Sequence, residues 1–170
     1  MLALVFLFTT ESVEWFNPAE AERLFFQETN KARVGEGLDS LTYDSLLSKA
    51  ARAHSEEMAR LGYQSHTSPV EKNRTLEKRL VNAGVDTIGC RIGENIAKIG
   101  GHFPDDGFSD IAAYFFYKSV AEEAVDGLMT SPGHRENILR KEFTRLGVGV
   151  ALRHDAKGFW IYFTQVFWGE

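Results

Sequence analysis

Three short stretches of the chain place a histidine or a glutamate beside turn-forming residues: SHTSP, GENIA and SPGHREN. The residues concerned are His66, Glu94 and His134. Groups at the ends of helices and strands are where proteins usually display binding and catalytic side chains. Two imidazoles and a carboxylate are also the ligand set of a zinc site with three protein ligands and one open position. The three residues are therefore candidate metal ligands, with ordinary surface histidines as the alternative, because separations of 28 and 40 residues do not guarantee proximity.

Common catalytic signatures are missing from the sequence. The stretch HSEEM lacks the second histidine of the zinc-protease helix, and no Gly-x-Ser-x-Gly nucleophile elbow is present. Ser131 precedes His134 by three residues, but a Ser-Pro pair before a helix is far more often a cap and a turn. Chemistry in this chain therefore depends on whether the three candidate residues meet.

Length, charge and cysteine content exclude several classes of protein. A chain of 170 residues with 44% hydrophobic residues can bury one core and is too short for two ordinary domains. The net charge of -5 and the scattered basic residues leave no stripe for neutralising phosphates, so we expect no nucleic-acid partner. Cys90 is the single cysteine, which excludes an intrachain disulfide and a cysteine-based zinc site.

The N-terminal stretch MLALVFLF is strongly apolar but short. Its eight residues fall well below the roughly 20 that a membrane-spanning helix needs, so we expect no membrane span. We interpret residues 1–16 as an N-terminal arm packing on the domain or as the remnant of an export signal. Residues 17–170 are predicted to form one domain, which we expect to be a monomer.

Capping residues and apolar spacing predict two helices at the start of that domain. Asn17 and Pro18 are a good N-cap and first-turn pair, and apolar residues recur at helical spacing after them. A second helix is predicted to begin near Asp44 and to end at Gly62. His54 lies on or beside its apolar face, so we interpret it as a hydrogen-bonded core residue. The turn that follows this helix carries the histidine of SHTSP.

The remaining pattern alternates shorter elements with loops. It predicts a polar third helix over residues 71–82, a strand over 92–99 and a fourth helix over roughly 118–129. Residues 100–110 are rich in Gly and Asp and indicate a surface loop. HRENIL is expected to form a short helical turn, and RLGVGVAL and GFWIYFTQVFW are expected to pair as a β-hairpin. Helices first and strands late indicate an α+β fold.

Five motifs in order resemble those of the CAP superfamily, which comprises cysteine-rich secretory, antigen 5 and pathogenesis-related proteins. They are ETNKARVGEGLDSLTYDSLLSKAARAHSEEMARLGYQSHTSP, GENIA, AVDGLMTSPGHRENIL, RLGVGVAL and YFTQVFW. The resemblance covers about residues 20–168, and the prokaryotic SCP-like extracellular domains are the most similar branch. Each motif alone is weak, but the ordered set is specific.

The resemblance implies a fold and a site. The family fold is a three-layer α-β-α sandwich around a small, mostly antiparallel sheet, and most members are secreted. A cleft on one face displays histidines and acidic residues, and in some members it binds a divalent cation, often zinc. His66 matches the cleft histidine after the second helix, Glu94 the glutamate of the Gly-Glu-Asn motif, and His134 the histidine of the prokaryotic Ser-Pro-Gly-His motif.

The chain also departs from the family pattern. Animal and plant members carry a second cleft histidine where this chain has Tyr162. They carry a glutamate after a helix tryptophan, and here Leu128 stands for the tryptophan and Ser131 lies near the glutamate position. The two-histidine, two-glutamate tetrad is thus incomplete, and the disulfides of the eukaryotic branch are missing.

Three functions follow as alternatives. The first is an extracellular or cell-envelope binding module whose cleft takes a small molecule, lipid, glycan or peptide, with zinc or another divalent cation as a cofactor. The second is a metal-assisted hydrolase in which His66 and His134 hold the cation and Glu94 acts as general base on a bound water. In the third, Glu94 and Asn95 satisfy backbone donors beside the sheet and the two histidines shape the turn.

Overall fold

Helices cover both faces of one sheet in the computed structural model, which describes residues 16–102, 109–155 and 158–170. The α-helices of the described residues are α1 Pro18–Gly35, α2 Ser45–Leu61, α3 Leu76–Ala83, α4 Asp110–Thr130 and α5 Pro132–Leu139. The strands are β1 Thr42–Tyr43, β2 Arg91–Gly101, β3 Arg145–Asp155 and β4 Gly158–Gly169. A single 3₁₀ turn, Glu71–Asn73, precedes α3.

The strands form one sheet in the order β1-β3-β4-β2. The predicted hairpin is confirmed, since β3 pairs antiparallel with β4 from Arg145 opposite Trp168 to Asp155 opposite Gly158. Strand β2 pairs antiparallel with β4 and forms one edge, and the two-residue β1 pairs parallel with β3. The sheet is therefore mostly antiparallel, as the resemblance implies.

The core lies on both faces of this sheet. On one face α1 packs on β3 and β4, with the rings of Phe25 and Phe163 4.9 Å apart, and α4 packs against α1 and β2. On the other face α2 packs on β3 and β4 through residues such as Leu47 and Met58. The α+β, three-layer α-β-α fold expected from the sequence is thus confirmed.

The closest approach between layers uses glycine. A Cβ atom on Gly149 would lie 2.1 Å from the backbone nitrogen of Arg52, and one on Gly147 would lie 2.2 Å from the backbone nitrogen of Ser48. Helix α2 therefore contacts β3 backbone to backbone. This contact holds the N-terminal half of α2 against the sheet.

Several predicted boundaries were wrong. Helix α4 begins at Asp110 rather than near residue 118, and Ser109 is its N-cap. The prediction missed this start because Ser109 lies at the end of the Gly/Asp-rich stretch that was assigned to a loop. The third helix begins only after Thr75, whose side chain caps it, and residues 71–73 form the 3₁₀ turn. Strand β1 was not predicted, since two residues carry no periodicity.

The proposed N-terminal arm, residues 1–16, lies outside the described residues except for Phe16. The ring of Phe16 meets that of Tyr117 edge-on, with centroids 5.9 Å apart. In the part of the chain that the structure describes, no helix combines the length and apolarity that crossing a bilayer requires. The boundary at residue 17 and the single domain over residues 17–170 stay predictions.

Candidate functional site

The structure brings the three candidate residues together. Nδ1 of His66 lies 2.8 Å from Oε1 of Glu94, and the ring centroids of His66 and His134 are 6.2 Å apart. The two imidazoles come from a loop and from a helix, and the carboxylate comes from the edge strand β2. This site, called here the histidine cleft, comprises His66, Glu94 and His134.

The loop that carries His66 is fixed by a second buried glutamate. Gly62 ends α2 in the left-handed region with φ of 72°, and the chain turns there toward the sheet. The carboxylate of Glu57 then accepts hydrogen bonds from Tyr63 Oη at 2.6 Å, from Asn73 Nδ2 at 2.7 Å and from the hydroxyl of Ser68. These three donors bracket His66 along the chain, so its backbone is held on both sides.

His54 contributes one more contact to the same loop. Its Nε2 donates to the backbone carbonyl of Ser65 at 3.1 Å, so the proton resides on Nε2. His54 is buried, and its Nδ1 has no hydrogen-bond partner among the described residues. Burial is the main cause that lowers the pKa of His54, and it keeps the imidazole neutral. The expectation that His54 is a hydrogen-bonded core residue is confirmed.

Glu94 is buried, and both of its oxygens are occupied. Oε1 accepts from His66, and Oε2 accepts from Nη2 of Arg79 at 2.6 Å. Burial by itself raises the pKa of Glu94, but the hydrogen bond from His66 and the charge of Arg79 outweigh it, and the pKa lies below its usual value. Glu94 is therefore a carboxylate, and because a carboxylate only accepts, His66 must donate from Nδ1.

An amide network holds α5, and with it His134, against β2. Asn95 Nδ2 donates to the carbonyl of His134 at 3.0 Å and to Oε1 of Gln165 at 2.9 Å. Asn137 Nδ2 donates to Oδ1 of Asn95 at 2.9 Å and to the carbonyl of Glu94 at 3.3 Å. The third function considered from the sequence had Asn95 accepting hydrogen bonds from backbone donors. Asn95 instead donates to a backbone carbonyl.

The two imidazoles differ in exposure. The side chain of His66 is 52% exposed, whereas His134 is half-buried. Burial lowers the pKa of His134, and the neighbouring imidazole of His66 lowers it further. His134 is thus held neutral at neutral pH. With Nδ1 of His66 committed to Glu94, Nε2 is the nitrogen of that ring that a ligand can reach.

Metal binding by all three residues together stays a prediction. Among the described residues, no three His, Cys, Asp or Glu side chains converge as metal ligands do. A cation held by His66, Glu94 and His134 would have to share the Glu94 oxygens with the hydrogen bonds from His66 and Arg79, and the protonated Nδ1 of His66 could not ligate it. The donor chemistry instead fits a cation shared by the two imidazoles, with Glu94 behind His66 as its orienting partner.

A concavity lies elsewhere, at the junction of α4 and α5. It measures about 800 Å³ and is lined by, among others, Met129, Leu139, Arg135 and Arg140. Its two arginines are already paired, Arg135 with Glu36 and Arg140 with Glu136. The histidine cleft does not contribute to this lining. We place the candidate site at the cleft, because ionisable groups converge there with a free ring nitrogen.

Sequence reasoning missed Arg79, which lies in α3 and is buried. A buried arginine is rare unless it is paired, but burial of α3 on this side could not be inferred from a mostly polar helix. It also missed Asn137, although the stretch HREN contains it. Tyr162, at the position where the resemblance implies a second cleft histidine, is fully buried.

Comparisons with known proteins match this α-β-α sandwich to one family. The family described as CAP, the cysteine-rich secretory protein family, matches residues 26–167. The chain is 34% identical over 149 residues to the uncharacterised protein YkwD of Bacillus subtilis (strain 168), covering 88% of this chain and 47% of YkwD. It is 33% identical over 139 residues to the uncharacterised membrane protein YlbC of the same organism, covering 82% of this chain and 34% of YlbC.

Among solved structures, an extracellular protein of Bacillus anthracis (strain Ames) containing an SCP domain is similar. It superposes with a TM-score of 0.63 at 30% identity, covering 90% of this chain and 41% of that one. The chain therefore belongs to the cysteine-rich secretory protein family, CAP. It spans less than half the length of these relatives.

Proposed function

We propose that the protein is a binding domain of the extracellular space or cell envelope and that the histidine cleft takes its ligand. The observation that carries the proposal is the orientation of His66, whose Nδ1 is held 2.8 Å from the buried Glu94 beside the ring of His134. An imidazole fixed in this way keeps Nε2 as a preorganised acceptor. The extracellular SCP-domain protein of Bacillus anthracis supports the location.

The charges around the cleft favour a neutral, hydroxyl-bearing ligand. Arg79 neutralises Glu94 below the cleft, and His134 is neutral at neutral pH. The accessible ring nitrogens can then accept hydrogen bonds from hydroxyl groups. Among the lipid, glycan and peptide ligands expected from the family, a glycan carries the highest density of such donors. A divalent cation such as zinc, held by the two imidazoles, would supply a Lewis acid at the same place.

The contacts support binding over the hydrolase with Glu94 as general base. A general base needs a lone pair within reach of the water that it deprotonates. The side chain of Glu94 is only 5% exposed, and each of its oxygens already accepts one hydrogen bond, from His66 or from the buried Arg79. Burial beneath these two donors leaves a water little access to the remaining lone pairs of Glu94.

The test is a binding titration with defined probes. N-acetylglucosamine oligosaccharides, phosphatidylglycerol vesicles and Zn²⁺ are titrated separately into metal-stripped protein, with heat and backbone amide shifts as readouts. We expect saturable binding of the oligosaccharide that is lost in His66→Asn/His134→Asn and retained in His102→Asn, a change at an exposed histidine outside the cleft.

Each alternative has its own outcome. Binding of the oligosaccharide that survives the double substitution would move the ligand away from the cleft. Cleavage of the oligosaccharide by purified protein would replace the binding function with a hydrolase. Zn²⁺ binding that requires both histidines would add the cation as a cofactor, and vesicle binding alone would point to a lipid.

A further inference from the structure

One buried arginine touches both partners of the central hydrogen bond in the histidine cleft. Nη2 of Arg79 donates to Oε2 of Glu94 at 2.6 Å, and its Nη1 donates to the carbonyl of His66 at 3.2 Å and to that of Asn73 at 2.9 Å. The side chains of Arg79 and Glu94 are 4% and 5% exposed. Arg79 lies too deep to meet a ligand, so any role in binding is exerted through its neighbours.

The geometry of a guanidinium explains why an arginine occupies this position. Its planar fork donates in several fixed directions at once, whereas a lysine ammonium is a compact charge on a flexible stem. Here one nitrogen holds the carboxylate and the other holds the loop carbonyls. The Glu94 oxygen that Arg79 takes is the one His66 does not use. Arg79 thereby holds the carboxylate so that Oε1 faces Nδ1 of His66.

We infer that Arg79 is a positioning residue that reserves Glu94 for His66 and so sets which nitrogen of His66 faces the ligand. The inference deepens the proposed binding function and rests on it for its biological meaning. In this arrangement Arg79 and Glu94 form a neutral platform, and His66 presents Nε2 as an acceptor. Without Arg79, one oxygen of the Glu94 carboxylate loses its partner and the carboxylate loses its fixed orientation. His66 is then no longer restricted to the tautomer that carries its proton on Nδ1.

A purely structural role for Arg79 can be separated from this one. The loop around His66 has independent anchors, since Tyr63 and Asn73 are held by Glu57 at 2.6 and 2.7 Å. The carbonyl of Ser65 is held by His54 at 3.1 Å. Loss of Arg79 therefore leaves the loop attached while it changes the second partner of Glu94. The protonation pattern of the His66 ring reports that change directly, and overall stability does not.

The experiment is nitrogen NMR of the imidazoles at neutral pH in the ligand-free, metal-stripped protein. We expect wild type to show His66 protonated at Nδ1 and unprotonated at Nε2. In Arg79→Met that distinct pattern is expected to be lost, through exchange between ring forms or protonation of both nitrogens. Arg52→Met is the matched control, because Arg52 pairs with another buried glutamate, Glu22; it is expected to leave the His66 signals unchanged.

A second substitution covers the case in which Arg79→Met does not fold. Arg79→Lys keeps a positive charge beside Glu94, but a single ammonium cannot hold the carboxylate and the two carbonyls together, so the same loss of pattern is expected. Wild-type His66 signals in folded Arg79→Met, or in Arg79→Lys where Arg79→Met does not fold, would overturn the inference. Because no ligand is added, this result is independent of whether the oligosaccharide binds.

Discussion

Arg79 and Glu94 form an ion pair in which both side chains are almost fully buried, with Nη2 of the arginine 2.6 Å from Oε2 of the glutamate. The pair joins α3 to the edge strand β2 beneath the histidine cleft. Removing one member of a buried pair leaves an uncompensated charge, whereas removing both is far less costly. This asymmetry gives the first prediction.

Arg79→Met is expected to lower the free energy of unfolding by about 3–5 kcal/mol, because Glu94 is left buried without its cation. The double variant Arg79→Met/Glu94→Gln is expected to lose less stability than the two single variants lose in sum, by about 1–3 kcal/mol. Urea unfolding of the four proteins measures this coupling. Arg23→Met, which removes an exposed pair with Glu20, should cost much less. Additive losses at Arg79 and Glu94 would contradict the pairing.

The amide network beneath α5 gives the second prediction. Asn95→Ala removes the donor to the His134 carbonyl and the acceptor for Asn137, and leaves Gln165 without that partner. Buried polar groups left without partners cost about 1–3 kcal/mol, so we expect a stability loss of about 2–3 kcal/mol.

Amide hydrogen exchange in α5 should become faster in Asn95→Ala, because the side-chain link from β2 to this helix is broken. Asn82→Ala is the control, since Asn82 is exposed and donates only to groups near the surface. Unaltered exchange in α5 would show that helix packing, rather than Asn95, holds His134 in place.

The third prediction concerns alkaline pH. Burial, followed by the hydrogen bond to Glu57, raises the pKa of Tyr63 to about 12 from an ordinary value of 10.0. A pKa that is higher in the folded state gives stability that is fully present below pH 10 and is lost as the pH rises toward 12. The free energy of unfolding of wild type should therefore fall more steeply over this window than that of Tyr63→Phe.

Glu57→Gln provides the matched comparison for Tyr63, because the amide keeps the shape of the acceptor and removes its charge. The tyrosinate absorbance assigned to Tyr63, by difference from Tyr63→Phe, should then titrate at a lower pH than in wild type. A titration that stays at the wild-type position would mean that burial alone sets the pKa of Tyr63.

The fourth prediction tests the contact between α2 and β3. Gly149→Ala would place a Cβ 2.1 Å from the backbone nitrogen of Arg52 and 2.3 Å from the backbone carbon of Ala51, so the helix must move. Overpacking of this kind costs about 1–3 kcal/mol, and more where backbone must shift.

Gly127→Ala in α4 is the control for Gly149→Ala, since its new Cβ meets nothing within 4 Å. Alanine is favoured over glycine inside a helix by about 1 kcal/mol, so this variant should be neutral or more stable. Thermal unfolding of both variants measures the difference. Equal melting temperatures for the two variants would argue against a close contact at Gly149.

Local signals in the sequence predicted the ends of the first two helices well. Asn17 caps α1 through its side chain, Asp44 caps α2, and Gly62 ends α2 in the left-handed region. Each signal acts within three or four residues of the backbone group that it satisfies, so no tertiary information is needed. The hairpin of β3 and β4 was predictable for the same reason, because its strands are neighbours in the chain.

Apolar spacing was a weaker guide where packing decided the outcome. Leu61 and Val81 follow helical spacing, yet they are 44% and 60% exposed. Tyr114 and Phe115, in the first turns of α4, are also exposed. Strand β1 exists only because β3 offers it a parallel partner.

By itself the sequence determined the caps of the first two helices, the β3–β4 hairpin and, through its ordered motifs, the family and the three candidate residues of the histidine cleft. Only the tertiary structure decided their partners. Arg79 and His66 reach Glu94 across separations of 15 and 28 residues, and Asn95 reaches His134 across 39. Side-chain contacts over such separations depend on how helices dock on the sheet edge, and no local pattern of residue types encodes that docking.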